Sequence, residues 1–295
     1  MESKYLIAFF ATFVRFYDYA LLGLSAAAIS QDLIPSNSIE NKLIIFYFIF
    51  SLTMVARPIG ALLFGYLADF HGRAYALKIT TKISMLSTTL VAIIPTYEYL
   101  GLGSIILLII LRMLFIMSLA SEGDSIKIYV TEMLGKSKRE LGISVVNFCS
   151  QTGVLFASFL YSFNHNFIEA NYFWRVNFII GGLMGFIVVW HRSKFIEPEL
   201  FMQSKLENLY DAKYESLKEL FQIYKADFFI SSISIGILGG LYNFLIIFLN
   251  SFLGDIAGVT DSKFAYSINS LLILVYMCSV MCNGMISLSV KVSII

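Results

Sequence analysis

"RPIGALLFGYLADFHGRAYAL" (57–77) places a small charged island between two apolar runs. Arg57, Asp69, His71 and Arg73 stand inside it, punctuated by Gly60, Gly65 and Gly72. The flanking runs each hold roughly 20 residues, the length that crosses a bilayer as a helix. A short polar turn between two such runs reads as a hairpin of membrane helices. Gly65 and Gly72 permit close approach and a sharp reversal. Asp69 is placed to pair with Arg73 or to face the positive N-terminal end of a neighbouring helix. Such a cluster latches helices together on one side of the membrane.

Working outward, the whole chain has the same character. It is 58% apolar and 14% charged, against about 25% charge in a soluble domain. Eight apolar runs are long enough to span, at approximately 5–29, 43–66, 77–96, 104–130, 142–163, 174–191, 228–252 and 264–289. They are continuously apolar and much longer than a barrel strand. The fold class is therefore an all-α integral membrane protein. Arg15 and Asp18 interrupt the first run, so it reads as an uncleaved span rather than a signal peptide, whose core is purely apolar.

Lys and Arg set the orientation. With the N-terminus in the cytoplasm, the inside loops hold thirteen of them, including Arg73, Arg192 and Lys205, and the outside loops hold two, Lys42 and Lys263. This bias predicts cytoplasmic termini. Cys149, Cys278 and Cys282 all fall inside spans, where a disulfide framework is not expected. No metal-ligand cluster, cofactor motif, catalytic nucleophile or nucleic-acid footprint stands out. The chain reads as a non-enzyme with no cofactor, whose surroundings are the lipid bilayer.

The spans divide six and two. A six-span bundle covers 1–191. A polar segment with an amphipathic helix on the cytoplasmic surface covers 192–227, and a partial second bundle of two spans covers 228–295. Gly181, Gly182, Gly185, Gly236, Gly239 and Gly240 offer close helix packing.

Charges inside a bilayer are expensive, so the charged residues within spans are functional suspects. The fourth run carries Arg112, Glu122, Asp124 and Lys127. At helical spacing Ser118, Ser121, Glu122, Ser125, Tyr129 and Glu132 form one polar stripe, the expected wall of a water-filled cavity. Asp124 and Lys127 lie on the other side as a structural pair. In the first run Arg15 and Asp18 stand at i, i+3, with Tyr17 and Tyr19 beside Asp18. Two readings of Asp18 stay open, a proton carrier or half of an ion pair with Arg15.

The loop around Gly65, Asp69, Gly72 and Arg73 resembles the signature between the second and third spans of the major facilitator superfamily, Gly-x-Leu-Ala-Asp-x-x-Gly-Arg. Phe70 and Ala74 depart from it, standing where basic residues are usual. "RPIG" (57–60), "FYDYALLG" (16–23), "RMLFIMSLASEGDSIKIYVTE" (112–132) and "FWRVNFIIGGLMG" with "IEPELF" (173–185, 196–201) resemble the metabolite–proton symporter branch, which includes proline/betaine and citrate carriers. Arg15 stands where that branch usually has an acid.

The resemblance implies a six-helix N-terminal bundle of a major facilitator fold, followed by about two helices of the C-terminal bundle. It implies proton-coupled symport of a small metabolite or osmolyte, proline/betaine-like or carboxylate, across a bacterial inner membrane. Asp18, Arg15, Tyr17, Arg112 and Glu122 are then the proton-coupling or substrate candidates, and Gly65, Asp69, Gly72 and Arg73 the latch. Such folds have twelve spans in two halves, and here the chain ends soon after the eighth. The alternative expectation is a truncated, non-transporting membrane protein, a gene remnant or a fragment dependent on a partner chain that supplies the missing spans.

Overall fold

The computed structural model describes residues 2–36, 38–134, 139–167, 172–193, 223–249, 252–253 and 262–289. Every regular element among them is helical. The first run forms α1 (Glu2–Leu24), continued after a break at Ser25 by α2 (Ala26–Leu33). The second forms α3 (Ile39–Met54) and α4 (Ala56–His71), separated at Val55. Pro58 falls in the first turn of α4, where its missing N–H leaves no bond unmade. Then come α5 (Arg73–Ala92), the single turn α6 (Tyr97–Leu100), α7 (Leu102–Leu134), α8 (Arg139–Phe167) and α9 (Phe173–Arg192). After the predicted surface helix of 192–227, nearly all of which lies outside the described residues, follow α10 (Lys225–Asn243), a π turn (Phe244–Phe248) and α11 (Ser262–Ser289).

Six segments among the described residues are long and apolar enough to cross a membrane: Leu6–Leu24, Ile39–His71, Leu102–Thr131, Arg139–Phe163, Phe173–Arg192 and Lys225–Phe248. The sequence predicts eight spans. The other two runs are helical but fall short on apolarity or apolar length. The apolar stretch of α11, Ser270–Cys282, is shorter. Helix α5 carries Lys78, Lys82 and a row of hydroxyls. Thr80, Thr81, Ser87 and Thr88 are buried, because α5 packs on both α7 and α9.

The turn between α4 and α5 is a single residue, Gly72, at φ 111° and ψ 153°. Side chains rarely adopt that φ, and glycine does so freely. Asp69 sits one turn before it and Arg73 opens α5. Gly65 lies in open space, with nothing within 4 Å of where a Cβ would stand, so the close approach expected there is not made.

Close approach occurs deeper in the bundle. Helix α1 packs on α8, α4 on α7 and α5 on α9. A Cβ on Gly153 would collide with the Phe13 carbonyl oxygen, and one on Gly60 with that of Met117. Gly181, Gly182 and Gly185 meet Tyr17, Thr88, Thr89 and Met85 of α1 and α5. Gly236, Gly239 and Gly240 of α10 meet nothing within 4 Å. The exposed surface carries Leu62, Leu63, Leu183, Phe186 and Trp190, as suits a chain with spans long and apolar enough to cross a membrane.

Candidate functional site

Two buried ion pairs link α1 to α7. Asp18 and Arg112 meet at 3.0 Å, Oδ2 to Nη1, each only 2% exposed. The Arg112 guanidinium also lies over the rings of Phe178, at 4.8 Å, and Phe115, at 5.3 Å. Three groups thus hold one cation in place, and cation–π contacts gain weight when desolvated. Asp18 Oδ1 is buried with no hydrogen-bond partner in the protein.

Ten residues, or about 15 Å, further along α7, Glu122 collects two guanidiniums. Arg15 Nη2 lies 2.6 Å from Glu122 Oε1, and Arg192 bonds the same oxygen. Arg192 also donates to Thr81 Oγ1, while the Thr81 hydroxyl lies 2.6 Å from the Leu77 carbonyl. One carboxylate therefore gathers α1, α5, α7 and α9. Arg15 and Asp18 do not pair with each other as their i, i+3 spacing predicts. Both face α7, where each finds an opposite charge.

A cavity of about 30 Å³ lies between these pairs, lined by Arg15, Asp18, Thr81, Ser84, Thr88 and Glu122 among others. That is room for at least one water. Three guanidiniums face two carboxylates here. A buried charge without its counter-ion is heavily penalised, so the arrangement holds only as a set.

The polar stripe of α7 is real but is no wall of an open cavity. Ser118, Ser121, Glu122, Ser125 and Tyr129 are all buried, and Ser118 Oγ lies 3.0 Å from Ser84 Oγ of α5. The side chains of Asp124 and Glu132 lie outside the described residues. Tyr17 is wholly buried and bonds the Asn177 carbonyl oxygen at 3.0 Å. It ties α1 to α9 and does not line the cavity. Arg192, predicted in a cytoplasmic loop, is fully buried. Its place in the last turn of an apolar helix concealed it.

Sequence reasoning missed a second polar cluster, between the six-helix unit and α10. Tyr19 donates to Asn243 Oδ1, Tyr242 meets Gln151 Oε1 at 3.4 Å, and the Tyr242 ring lies 6.3 Å from that of Tyr276. Arg57 is near enough to act electrostatically on both Tyr19 and Tyr242. The π turn carries α10 against α1, with Ile247 seated on Gly23. The tyrosine beside Asp18 and the "YN" of 242–243 were the available signals.

At the loop end, a recess of about 940 Å³ is lined by Asp32, Lys42, Thr96, Tyr97 and Glu98 among others. It is larger, and none of the charges described above lines it. There Asp32 accepts from Trp174 Nε1 at 3.0 Å and faces Arg175 at 3.6 Å. Arg175 also bonds the Ala92 and Ile94 carbonyls at 3.1 and 2.6 Å. The result is a clamp joining α2, the end of α5 and the start of α9.

The family described as "Sugar (and other) transporter" matches residues 4–220. The proline/betaine transporter of Escherichia coli (strain K12) is 31% identical over 218 residues, covering 70% of this chain and 44% of that protein. The citrate-proton symporter of Salmonella typhi is 27% identical over 198 residues, covering 65% of this chain and 45% of that protein. The chain thus spans under half the length of these relatives. Among solved structures, the D-xylose-proton symporter superposes with a TM-score of 0.70 at 16% identity, over 94% of this chain and 66% of that one. A second structure of that proton:xylose symporter, bound to 6-bromo-6-deoxy-D-glucose, gives 0.73 at 14% identity, over 95% and 68%.

Proposed function

The chain belongs to the sugar (and other) transporter family of the major facilitator superfamily, and from that membership we propose that it serves proton-coupled symport of a small polar metabolite. The proton carrier is Asp18. The observation that carries this is its asymmetry: Oδ2 is held by Arg112 while Oδ1 is buried and without a partner. A proton can settle on Oδ1 without breaking the Arg112 ion pair, with the Thr88 hydroxyl close by. Glu122 is clamped by two guanidiniums and Thr81, an arrangement for holding helices together.

The substrate side is the cluster of Tyr19, Arg57, Gln151, Tyr242 and Asn243. Arg15 and Arg112 are buried and already paired, so Arg57, which acts electrostatically on Tyr19 and Tyr242, is the cation assigned to meet a substrate carboxylate. The tyrosine faces suit a quaternary ammonium group. Together they fit an amino-acid or betaine-like zwitterion. The relatives named for proline/betaine and for citrate support a carboxylate-bearing substrate. The membrane is a bacterial inner membrane with both termini cytoplasmic, in keeping with the basic bias. The one-residue turn at Gly72 serves there as the latch with Gly65, Asp69 and Arg73.

A second reading, a non-transporting chain that works beside a partner chain, draws support from α10. None of the residues of α10 is buried. Uptake of labelled proline, betaine and citrate into vesicles under an imposed proton gradient tests the proposal. Saturable, gradient-driven uptake lost in Asp18→Asn and in Arg57→Ala is the expected result. Uptake indifferent to Asp18→Asn would remove Asp18 as carrier, and no uptake of any of the three would favour the second reading.

A further inference from the structure

We infer that Gly23 is the positioning residue of a closure: because it carries no side chain, the π turn Phe244–Phe248 seats on α1 and shuts the Tyr19–Asn243 cluster at the loop end. The inference rests on the reading of that cluster as the substrate side and adds what opens and closes it.

The contacts between α1 and the segment from α10 into the π turn step in register. Tyr19 bonds Asn243, and four residues further along each, Gly23 meets Ile247. A Cβ on Gly23 would stand 3.0 Å from the Ile247 Cα and Cβ and closer still to Cγ2. Such distances are tighter than side chains tolerate, so the approach depends on the bare glycine. Tyr47 of α3 completes the contact. Its ring meets that of Phe248 edge-on at 5.0 Å, and its hydroxyl lies 3.5 Å from the Ile247 carbonyl oxygen.

Burial follows the same line. Ile246 and Ile247 of the π turn are buried, whereas no residue of α10 is, and residues 225–238 are exposed. The cluster is thus covered on the side of the π turn and uncovered along the first part of α10. The turn itself is irregular: the Leu249 N–H bonds the Phe244 carbonyl, five residues back, a pattern that occurs mostly as single turns within α-helices and often at functional sites. The covering contact is neutral. Ile247 rests on a glycine, Phe248 on one ring, and Tyr19 on an amide. It can part without stranding a buried charge, unlike the ion pairs of Asp18 and Glu122, which lie wholly within the six-helix unit. A side chain at position 23 would wedge the turn off α1 and hold the cluster open at this end.

Electron–electron distance measurements on the full chain in lipid nanodiscs test this. Spin labels go on Tyr99→Cys of α6 and Leu245→Cys of the π turn, both exposed, in a background without the three native cysteines. The unsubstituted Gly23 should give one narrow, short distance. Gly23→Ala and, more strongly, Gly23→Val should lengthen it by about 2 Å or more, the scale on which packed helices shift at interfaces. Pairing Gly23→Ala with Ile247→Ala makes room for the added methyl and should restore the short distance, which a general loss of packing would not do. Gly23→Ala and its rescue decide the matter even where Gly23→Val does not fold. A distance unmoved by Gly23→Ala and Gly23→Val, or one that Ile247→Ala does not restore, overturns the inference. The labels are read without substrate or gradient, so failure of vesicle uptake bears on the proposed transport and leaves these distances as they are.

Discussion

Arg192, the last residue of α9, bonds the carboxylate of Glu122 in α7, seventy residues earlier in the chain. The side chain runs from a helix end into the interior and is fully buried there. Arg192→Ala leaves Glu122 with Arg15 alone. Breaking a buried pair by removing one partner costs about 3–5 kcal/mol. Thermal unfolding of the purified chain should therefore fall far more for Arg192→Ala than for Ala at the neighbouring exposed Ser193. An equal, small effect would show that the pair contributes nothing.

Glu122→Gln should act on stability first. It leaves the Arg15 and Arg192 guanidiniums beside a neutral amide, and buried charges without a counter-ion are strongly disfavoured. The expected outcome is less folded protein in the membrane, measured by fluorescence-detected size-exclusion profiles. Asp18→Asn should keep its folded yield better, because Arg112 retains Phe115 and Phe178. The opposite ranking would make Glu122 the freer group and the better proton carrier.

Most of this fold was legible, and the reason is solvent. Apolar runs of spanning length announce helices, and Asp18, Arg112 and Glu122 stand out because charges in such runs are rare. The pairing was not legible. Arg15 and Asp18 at i, i+3 look like local partners, yet their common direction toward α7 decides otherwise. Arg192 was hidden by the positive-inside pattern, which treats a basic residue at a helix end as a loop residue. Tyr19 and Asn243 are neutral and 224 residues apart, so each could be noticed singly but nothing in the chain marks them as a pair. Gly65 shows the converse, since a motif glycine need not make a close approach in the described residues.

Gly153 and Gly60 predict where the bundle tolerates no side chain. A Cβ at Gly153 would enter the Phe13 carbonyl, and one at Gly60 the Met117 backbone. Backbone atoms cannot turn aside as side chains do, so Gly153→Val or Gly60→Val must push a pair of helices apart. Overpacking typically costs about 1–3 kcal/mol and sometimes more. Gly65→Val, with open space around it, should leave the unfolding temperature almost unchanged in the same assay. A comparable loss at Gly65 would contradict this packing.

Asp32 gives a pH-dependent prediction at the loop end. Burial raises its carboxyl above the ordinary value, while the bonds from Trp174 and Arg175 act the other way and do not cancel it. A carboxyl raised in the folded state stabilises most below its unfolded pKa. That contribution is lost as pH rises through the folded value. Relative to Asp32→Asn, the wild type should therefore be favoured in acid and lose that advantage towards neutral pH. Paired melting curves below and above the carboxylate range, near 4, read this directly. A gap that widens in favour of the wild type as pH rises would mean that Arg175 dominates.

The orientation also yields to measurement. The sequence puts thirteen basic residues inside against two outside, but Arg192 is buried in α9 and speaks for neither side. Twelve against two remain, still a strong bias. Ser38 caps α3, accepting from the Asn41 N–H at 3.2 Å, at the end that also holds Lys42. Ser193 follows α9 at the other end and is exposed. Cys278 and Cys282 are exposed on α11, so the background for labelling must lack all three native cysteines. In that background a membrane-impermeant maleimide applied to whole cells should label Ser38→Cys and leave Ser193→Cys untouched until the cells are opened. Substituting Ser38 removes a helix cap, which costs about 1 kcal/mol and leaves the insertion of a 33-residue segment, Ile39–His71, unaffected. Labelling of Ser193→Cys in intact cells would invert the chain and move the Gly72 turn to the outer face.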